Sequence, residues 1–267
     1  MGILNVTPDS FSDGGAYRSV DDAIAWGVQM YDDGAHIVDV GGESTRPPGK
    51  DYGEGSAEVP VDEEIERTIP VIEGIRRERP EAWVSIDTMK PEVARRAVDA
   101  GATMINDVSG GRYDRTIWNI AIDADVPYVL MHGHDPGDRR PVEECAYDDV
   151  AADIYSWIWR QVVLARGIGL GQIVVDPGIG FAKGAVDSTR LVRELWRFVP
   201  IGLPVMVGIS RKAFIGRILG GEGVSGRLHG SIGGAIAASL NGASILRLHD
   251  VRETVDALKT FAVLYDR

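Results

Sequence analysis

Cysteine is almost missing from this chain: Cys145 stands alone among 267 residues. That excludes an intramolecular disulfide and any cysteine-based metal cage, and a reducing cytoplasmic setting is expected. Long hydrophobic runs are missing too. Nothing approaches the roughly 20 consecutive apolar residues of a membrane span, and neither a secretory signal nor a myristoylation pattern opens the chain. Cations are outnumbered, 28 Lys and Arg against 40 Asp and Glu, for a net charge of −12. General affinity for nucleic acid or for an anionic membrane is therefore not expected. There is no Gly-x4-Gly-Lys-Ser/Thr phosphate loop, and Asp176-Pro-Gly-Ile-Gly180 carries a glycine pair without the full dinucleotide fingerprint. No Ser/Gly/Pro linker or low-complexity tract divides the sequence, so residues 1–267 are expected to form one domain.

What is present is a repeated phrase, a short aliphatic or β-branched run ending on a polar residue. The runs are Gly2–Val6, Ile37–Val40, Trp83–Asp87, Met104–Asn106, Tyr128–Met131, Ile173–Asp176, Val205–Ser210 and Ile245–His249. Helical patterns follow most of them. Ser19-Val-Asp-Asp22 reads as a capped start, residues 62–79 form an apolar face that Pro70 should kink, and Pro91 suits a first helical position. Residues 149–166, 187–198, 228–241 and 251–265 complete the helices. The runs lack the alternation of a half-wetted antiparallel sheet, as parallel strands covered by helices do. A doubly wound open sheet competes with a closed barrel. Eight strand–helix units fill the length with nothing left over, which favours an α/β fold of the (β/α)8 TIM-barrel type.

In such a barrel the strand ends meet on one rim. Asn5, Asp39, Asp87, Asn106, Asp176, Lys212, Arg247 and His249 would then share one cup. Any single Asp there could merely cap the following helix. Together, Asp87, Asn106, Asp176 and Lys212 offer carboxylates, an amide and an ammonium, which suit a flat heterocycle of alternating donors and acceptors. Arg247 and His249 lie two apart and face one side, as an anion site would require; the alternative is that Arg247 pairs with an inner carboxylate. His132-x-His134 has metal-pair spacing, yet no third ligand is evident. Two long polar stretches, from Thr7 to Tyr17 and from Glu43 to Pro60, read as lids over the cup or as plain connectors. Gly233-Gly234 within a helix reads as a close-packing device.

Met1-Gly-Ile-Leu-Asn-Val-Thr-Pro-Asp-Ser-Phe-Ser-Asp-Gly-Gly15 and Asp39-Val-Gly-Gly-Glu-Ser-Thr-Arg-Pro47 resemble the signature segments of the dihydropteroate synthase family. The likeness continues through Ser85-Ile-Asp-Thr88, Ile105-Asn-Asp107, Asp176-Pro-Gly178, Gly208-Ile-Ser-Arg-Lys212 and Arg247-Leu-His249, and so spans the chain. It implies a homodimeric TIM barrel of folate biosynthesis, a sulfonamide target. Its members join 7,8-dihydropterin-6-ylmethyl diphosphate to 4-aminobenzoate with Mg2+ and release pyrophosphate. By the same resemblance Asp87, Asp176 and Lys212 are catalytic, and together with Asn106 they hold the pterin. Asn5 sits by Mg2+. Thr45, Arg247 and His249 attend the diphosphate, and Phe11, Pro47, Ser210 and Arg211 border the aminobenzoate; Asp39, Arg46, Met131 and Gly208 complete the substrate-binding set. Two departures are expected: residues 48–56 make the second loop longer than is usual, and the first strand starts directly at Met1, through either an abrupt native start or a trimmed one. A pterin-dependent methyltransferase barrel, a pterin-binding paralogue without turnover and a Schiff-base aldolase using Lys212 remain the competing readings.

Overall fold

The computed structural model describes residues 1–7, 19–44, 58–135, 138 and 140–265. Thr45, Arg46, Pro47 and Phe11, and most of both long polar stretches, lie outside the described residues. Among the described residues eight parallel strands form where the apolar runs predicted them: β1 (Gly2–Asn5), β2 (Ile37–Gly41), β3 (Trp83–Asp87), β4 (Met104–Asp107), β5 (Tyr128–Met131), β6 (Ile173–Asp176), β7 (Met206–Gly208) and β8 (Ile245–Arg247). The first six pair in chain order as one continuous arc, and β7 pairs with β8. Single parallel bridges, Val175 to Val205 and Gly2 to Leu248, join that pair to the two ends of the arc. The sheet is therefore closed, and the open-sheet alternative is ruled out.

Closure divides the strand residues by parity. Val38, Val40, Val84, Ile86, Ile105, Tyr128, Leu130, Val175, Val205 and Val207 are buried in the main core with the helices. Met1, Met104, Val129, Val174 and Met206, flanked by Ile37 and Ile245, form a second cluster that floors the barrel. The helical layer comprises α1 (Val20–Asp32), α2 (Val61–Glu78), α3 (Pro91–Asp99), α4 (Thr116–Asp123), α5 (Val150–Gly167), α6 (Ala185–Arg193), α7 (Ala213–Ile218), α8 (Leu228–Leu240) and α9 (Val251–Tyr265). Ser19 caps α1 by accepting from Asp22 N at 3.1 Å, and Asp149 caps α5 through Ala152 N at 3.2 Å. The helix containing Pro70 runs on uninterrupted to Glu78. Helix α4 was not anticipated. The predicted 187–198 helix instead ends at Arg193 and passes into a 3-10 turn over Leu195–Ile201. Gly234 packs within van der Waals reach of Ile209, but Gly233 has open space around it, so only one of the pair serves close packing.

Candidate active site

Strand register decides which polar residues face inward. Asn5 pairs with Gly41, Gly41 with Asp87, and Asp87 with Asn106. Met131 pairs with Asp176, and Gly208 with Arg247. Partners in a parallel ladder share a face, so these residues and Asp39, two before Gly41, all project into the barrel mouth above the apolar floor. There Arg247 reaches across the barrel, donating from Nε to Asp39 Oδ2 at 2.6 Å and from Nη2 to Asp87 Oδ2 at 2.6 Å. Asn106 Nδ2 donates to the same Asp39 oxygen at 2.9 Å. Arg247 thus pairs with inner carboxylates, one of its two readings from sequence, through Nε and Nη2.

The network is not saturated. Asp39 Oδ1, Asp87 Oδ1 and Asn106 Oδ1 are buried acceptors without a hydrogen-bond partner. Each such group costs on the order of 1–3 kcal/mol, which makes the cluster ready to accept hydrogen bonds. Burial pushes the Asp87 carboxyl up to about 7 against the opposing pull of Arg247, with the nearby Asp39, Glu64 and Asp107 charges adding to the rise. Asp107, next to Asn106, anchors the turn after β4 by accepting from Tyr128 Oη at 2.6 Å, Ser109 N at 2.7 Å and Gly111 N at 2.8 Å. That leaves Asn106 as the residue at the end of β4 that serves the cup.

Across the mouth, Asp176 Oδ1 accepts from Gly178 N at 2.7 Å, which orients the carboxylate. Burial raises its pKa, and the Lys212 charge works against that rise. Lys212 donates to Ile179 O and lies 4.5 Å above the Phe181 ring. Burial lowers the Lys212 ammonium to about 8, with Asp176 pulling the other way. Beside it, Ser210 Oγ accepts from His249 N at 3.2 Å and stands 3.1 Å from His249 Nδ1. Burial, with Arg247 and Arg211 nearby, lowers His249 to about 4, so the imidazole is neutral at pH 7. A Ser210 hydroxyl that donates to Nδ1 leaves Nε2–H as the outward donor. Arg211, at φ +57°, is committed to both oxygens of Asp250, from Nε at 2.9 Å and from Nη2. Met131 is buried beside Asp176 in the ladder. At Gly208 an added Cβ would meet only ordinary contact with Arg247.

The His132-x-His134 pair does not converge on a common point. His132 Nδ1 lies 3.0 Å from Lys183 Nζ and its ring is set edge-on to Trp157, whereas His134 approaches Asp138 at 3.5 Å. Among the described residues no group of three or more His, Cys, Asp or Glu is placed to hold a metal ion.

Comparison with known proteins decides the family. Residues 1–249 match the model of the pterin binding enzymes. The dihydropteroate synthase of Escherichia coli (strain K12) is 43% identical over 262 residues, covering 97% of this chain and 89% of that protein. This chain belongs to the dihydropteroate synthase family. It also superposes on the Xanthomonas albilineans dihydropteroate synthase bound to 4-aminobenzoic acid with a TM-score of 0.89 at 42% identity, covering all of this chain and 93% of that one. The same enzyme in complex with 7,8-dihydropteroate gives 0.87 at 39% identity, with the same coverage. As a member of that family the chain is a transferase.

Two features of the synthase fold carried no sequence signal of their own. Phe181, the ring beneath Lys212, looks from sequence like one more loop aromatic. Lys90, just before α3, is 2% exposed and gathers Glu43 Oε2 at 2.5 Å, Glu64 Oε2 at 2.6 Å and Val59 O at 2.7 Å on one ammonium. It thereby ties the residues on either side of the second long stretch to the end of β3. An acidic pair around a lysine from three separate segments is invisible without the fold.

Proposed function

We propose that this chain joins 7,8-dihydropterin-6-ylmethyl diphosphate to 4-aminobenzoate, forming 7,8-dihydropteroate and releasing pyrophosphate. The observation that carries this reading is the convergence of Asp87, Asn106, Asp176 and Lys212, from four different strand ends, on one mouth beside Arg247 and His249. Asp176 takes the amino-pyrimidine edge, since a carboxylate held by one backbone N–H keeps a second oxygen for parallel N–H donors. Lys212 donates to the ring's acceptors, and Asn106 and Asp87 take the remaining edge. Gly208 and Met131 shape the walls.

Asn5 stands exposed at the end of β1, and a Cβ at Gly41 would sit 3.7 Å from both Asn5 Oδ1 and an Asp87 oxygen. A single amide oxygen suits Mg2+ that arrives with its diphosphate and keeps several waters, whereas a resident cage would need more ligands. When bound, Mg2+ stabilises the negative charge of the leaving diphosphate. His249 Nε2–H and Arg247 serve the same anionic half, beside the N-terminus of α9, and the family resemblance adds Thr45 to it and Arg46 to the substrate-binding set. Arg211 and Ser210 border the aminobenzoate, with Asp39 holding Arg247 in place.

The bond from the pterin methylene carbon to the diphosphate oxygen breaks first, and its electron pair leaves with pyrophosphate. Electron density from the dihydropterin ring, beside the buried carboxylates, supports the cationic carbon. The aniline nitrogen then forms the C–N bond and gives up one proton. No protein nucleophile is needed. The chain works as one domain over residues 1–267, as a homodimer in the cytoplasm; among the described residues no helix is long and apolar enough to cross a membrane.

The test mixes the protein with the pterin diphosphate, 4-aminobenzoate and Mg2+ and measures pyrophosphate. Stoichiometric pyrophosphate and dihydropteroate are expected. Tight pterin binding with no pyrophosphate would reduce the chain to a binding paralogue, and a trapped covalent pterin–enzyme adduct would overturn the dissociative route.

A further inference from the structure

The loop from β6 to α6, residues 177–182, contains three residues in the left-handed region: Gly178 at φ +67°, Gly180 at +80° and Ala182 at +52°. Backbone of this kind joins no sheet or helix ladder and has to be held by something else. Lys183 does so. Its side chain is almost wholly buried, at 1% exposure, and its Nζ donates to Gly178 O at 2.9 Å, Phe181 O at 2.6 Å and His132 O at 3.1 Å. Burial holds the Lys183 amine well below the ordinary lysine range, with Asp176 pulling the other way, and its N–H groups meet these three carbonyl oxygens. His132 Nδ1, at 3.0 Å, completes the enclosure and ties the loop to the end of β5.

From its other side the same loop meets Lys212. That ammonium donates to Ile179 O and rests over the Phe181 ring, and Gly178 N donates to Asp176. Each of these contacts to the Asp176 and Lys212 side chains is thus made by a loop residue whose own place is set by Lys183 or lies between two that are. We propose that Lys183 is a positioning residue for the synthase reaction: it touches no substrate, but through the 177–182 loop it fixes the orientation of Asp176 and Lys212 and so sets affinity for the pterin. The proposal rests on the pterin-binding roles given to those two residues above.

The test compares the unaltered protein with Lys183→Met and Lys183→Gln, the latter keeping two donors for the three carbonyls. Pterin itself is the probe, its dissociation constant measured by calorimetry from pH 6 to 10, alongside thermal melts. For Lys183→Met the expectation is a pterin affinity weakened about tenfold or more, as a displaced binding group produces. The alkaline midpoint that Lys212 gives the binding curve should also rise from about 8 toward the ordinary lysine value of 10.5, because the ammonium loses its enclosed seat. Asp176 and Arg247 face Lys212 and are unchanged in both variants. Lys183 also acts electrostatically on Lys212 and Asp176, and since both variants remove that charge equally, the difference between Lys183→Met and Lys183→Gln reads positioning alone. Lys183→Gln should fold and fall between the two in both readouts. A melting temperature lowered with affinity and midpoint both unmoved would mean that Lys183 only supports the fold, and would overturn the proposal. Should Lys183→Met not fold, affinity and midpoint are compared between Lys183→Gln and the unaltered protein, and the same outcomes decide. Pyrophosphate release by the unaltered protein is a separate readout, so failure of the synthase reading and failure of this role remain distinguishable.

Discussion

Replacing Arg247 with Met should destabilise this protein in a way that grows with pH. The Arg247 side chain spans Asp39 and Asp87, whose side chains are 0% and 7% exposed, with a 2.6 Å bond to each. Methionine fills similar volume but leaves two carboxylates buried together with no cation between them. Breaking a buried pair from one side costs about 3–5 kcal/mol, which for a chain of this size lowers the melting temperature on the order of 10 °C. The pH dependence follows from Asp87. Its carboxyl titrates at about 7 in the folded protein, raised chiefly by burial and restrained by Arg247, whereas an unfolded Asp titrates near about 3.9. Between those values the unfolded chain binds fewer protons than the folded one, so Asp87 makes stability fall as pH rises and then level off above about 7. Without Arg247 the folded value climbs further. The variant should therefore keep losing about 1.4 kcal/mol per pH unit above 7, where the unaltered protein has levelled off. Urea melts followed by circular dichroism at pH 6, 7 and 8.5 give the difference directly. A loss below about 1 kcal/mol at pH 8.5, or one equal at all three values, would refute the assignment of Arg247 as the counter-charge of this cluster.

Pterin affinity should fall about tenfold per pH unit above about 8 as Lys212 loses its proton, and calorimetry with Lys212→Met should show that limb abolished. Asp176→Asn should weaken pterin binding about tenfold to hundredfold, the cost of one mispaired buried edge, with thermal stability little changed; equal affinities would remove Asp176 from the pocket. Gly178→Ala should cost at least about 2 kcal/mol in a urea melt, because a Cβ there lies 1.8 Å from His132 O at φ +67°. Gly169→Ala, at φ +101° with open space around it, should cost only the backbone share, about 1–2 kcal/mol.

Strand-end chemistry was legible because parity and closure do the sorting. Once Asp39, Asp87, Asn106, Asp176 and Arg247 were read as the polar ends of parallel runs, a barrel left them nowhere to go but the mouth. What the runs could not tell is which of them satisfy one another. Arg247 finds Asp39 and Asp87 at separations of 208 and 160 residues, so its partners follow from the closure at Gly2 and Leu248 and not from any local pattern. Lys90 and Lys183 escaped because neither ends a strand: Lys183 acts on main-chain carbonyls, which every residue carries, and Lys90 on the carboxylates of Glu43 and Glu64, 47 and 26 residues away. Helix α4 was overlooked because its eight residues, Thr116–Asp123, lack a side-chain cap and acidic first-turn residues. His132-x-His134 shows why spacing without a third ligand carries little, since it serves a lysine contact and an aspartate contact.

The two seams of the barrel give the molecule a grain. Six strands form a continuous arc bearing Asn5, Asp39, Asp87, Asn106 and Asp176, while the short β7–β8 stave leads into Lys212 and His249 and carries Arg247; one bridge per flank joins the two. Each flank has fewer ladder positions than the pairs inside the arc, and Arg247 bolts the stave to the arc through Asp39 and Asp87. Arg247 is therefore a brace across a flank as well as a counter-charge, and without it the flanks are where amide exchange should rise first.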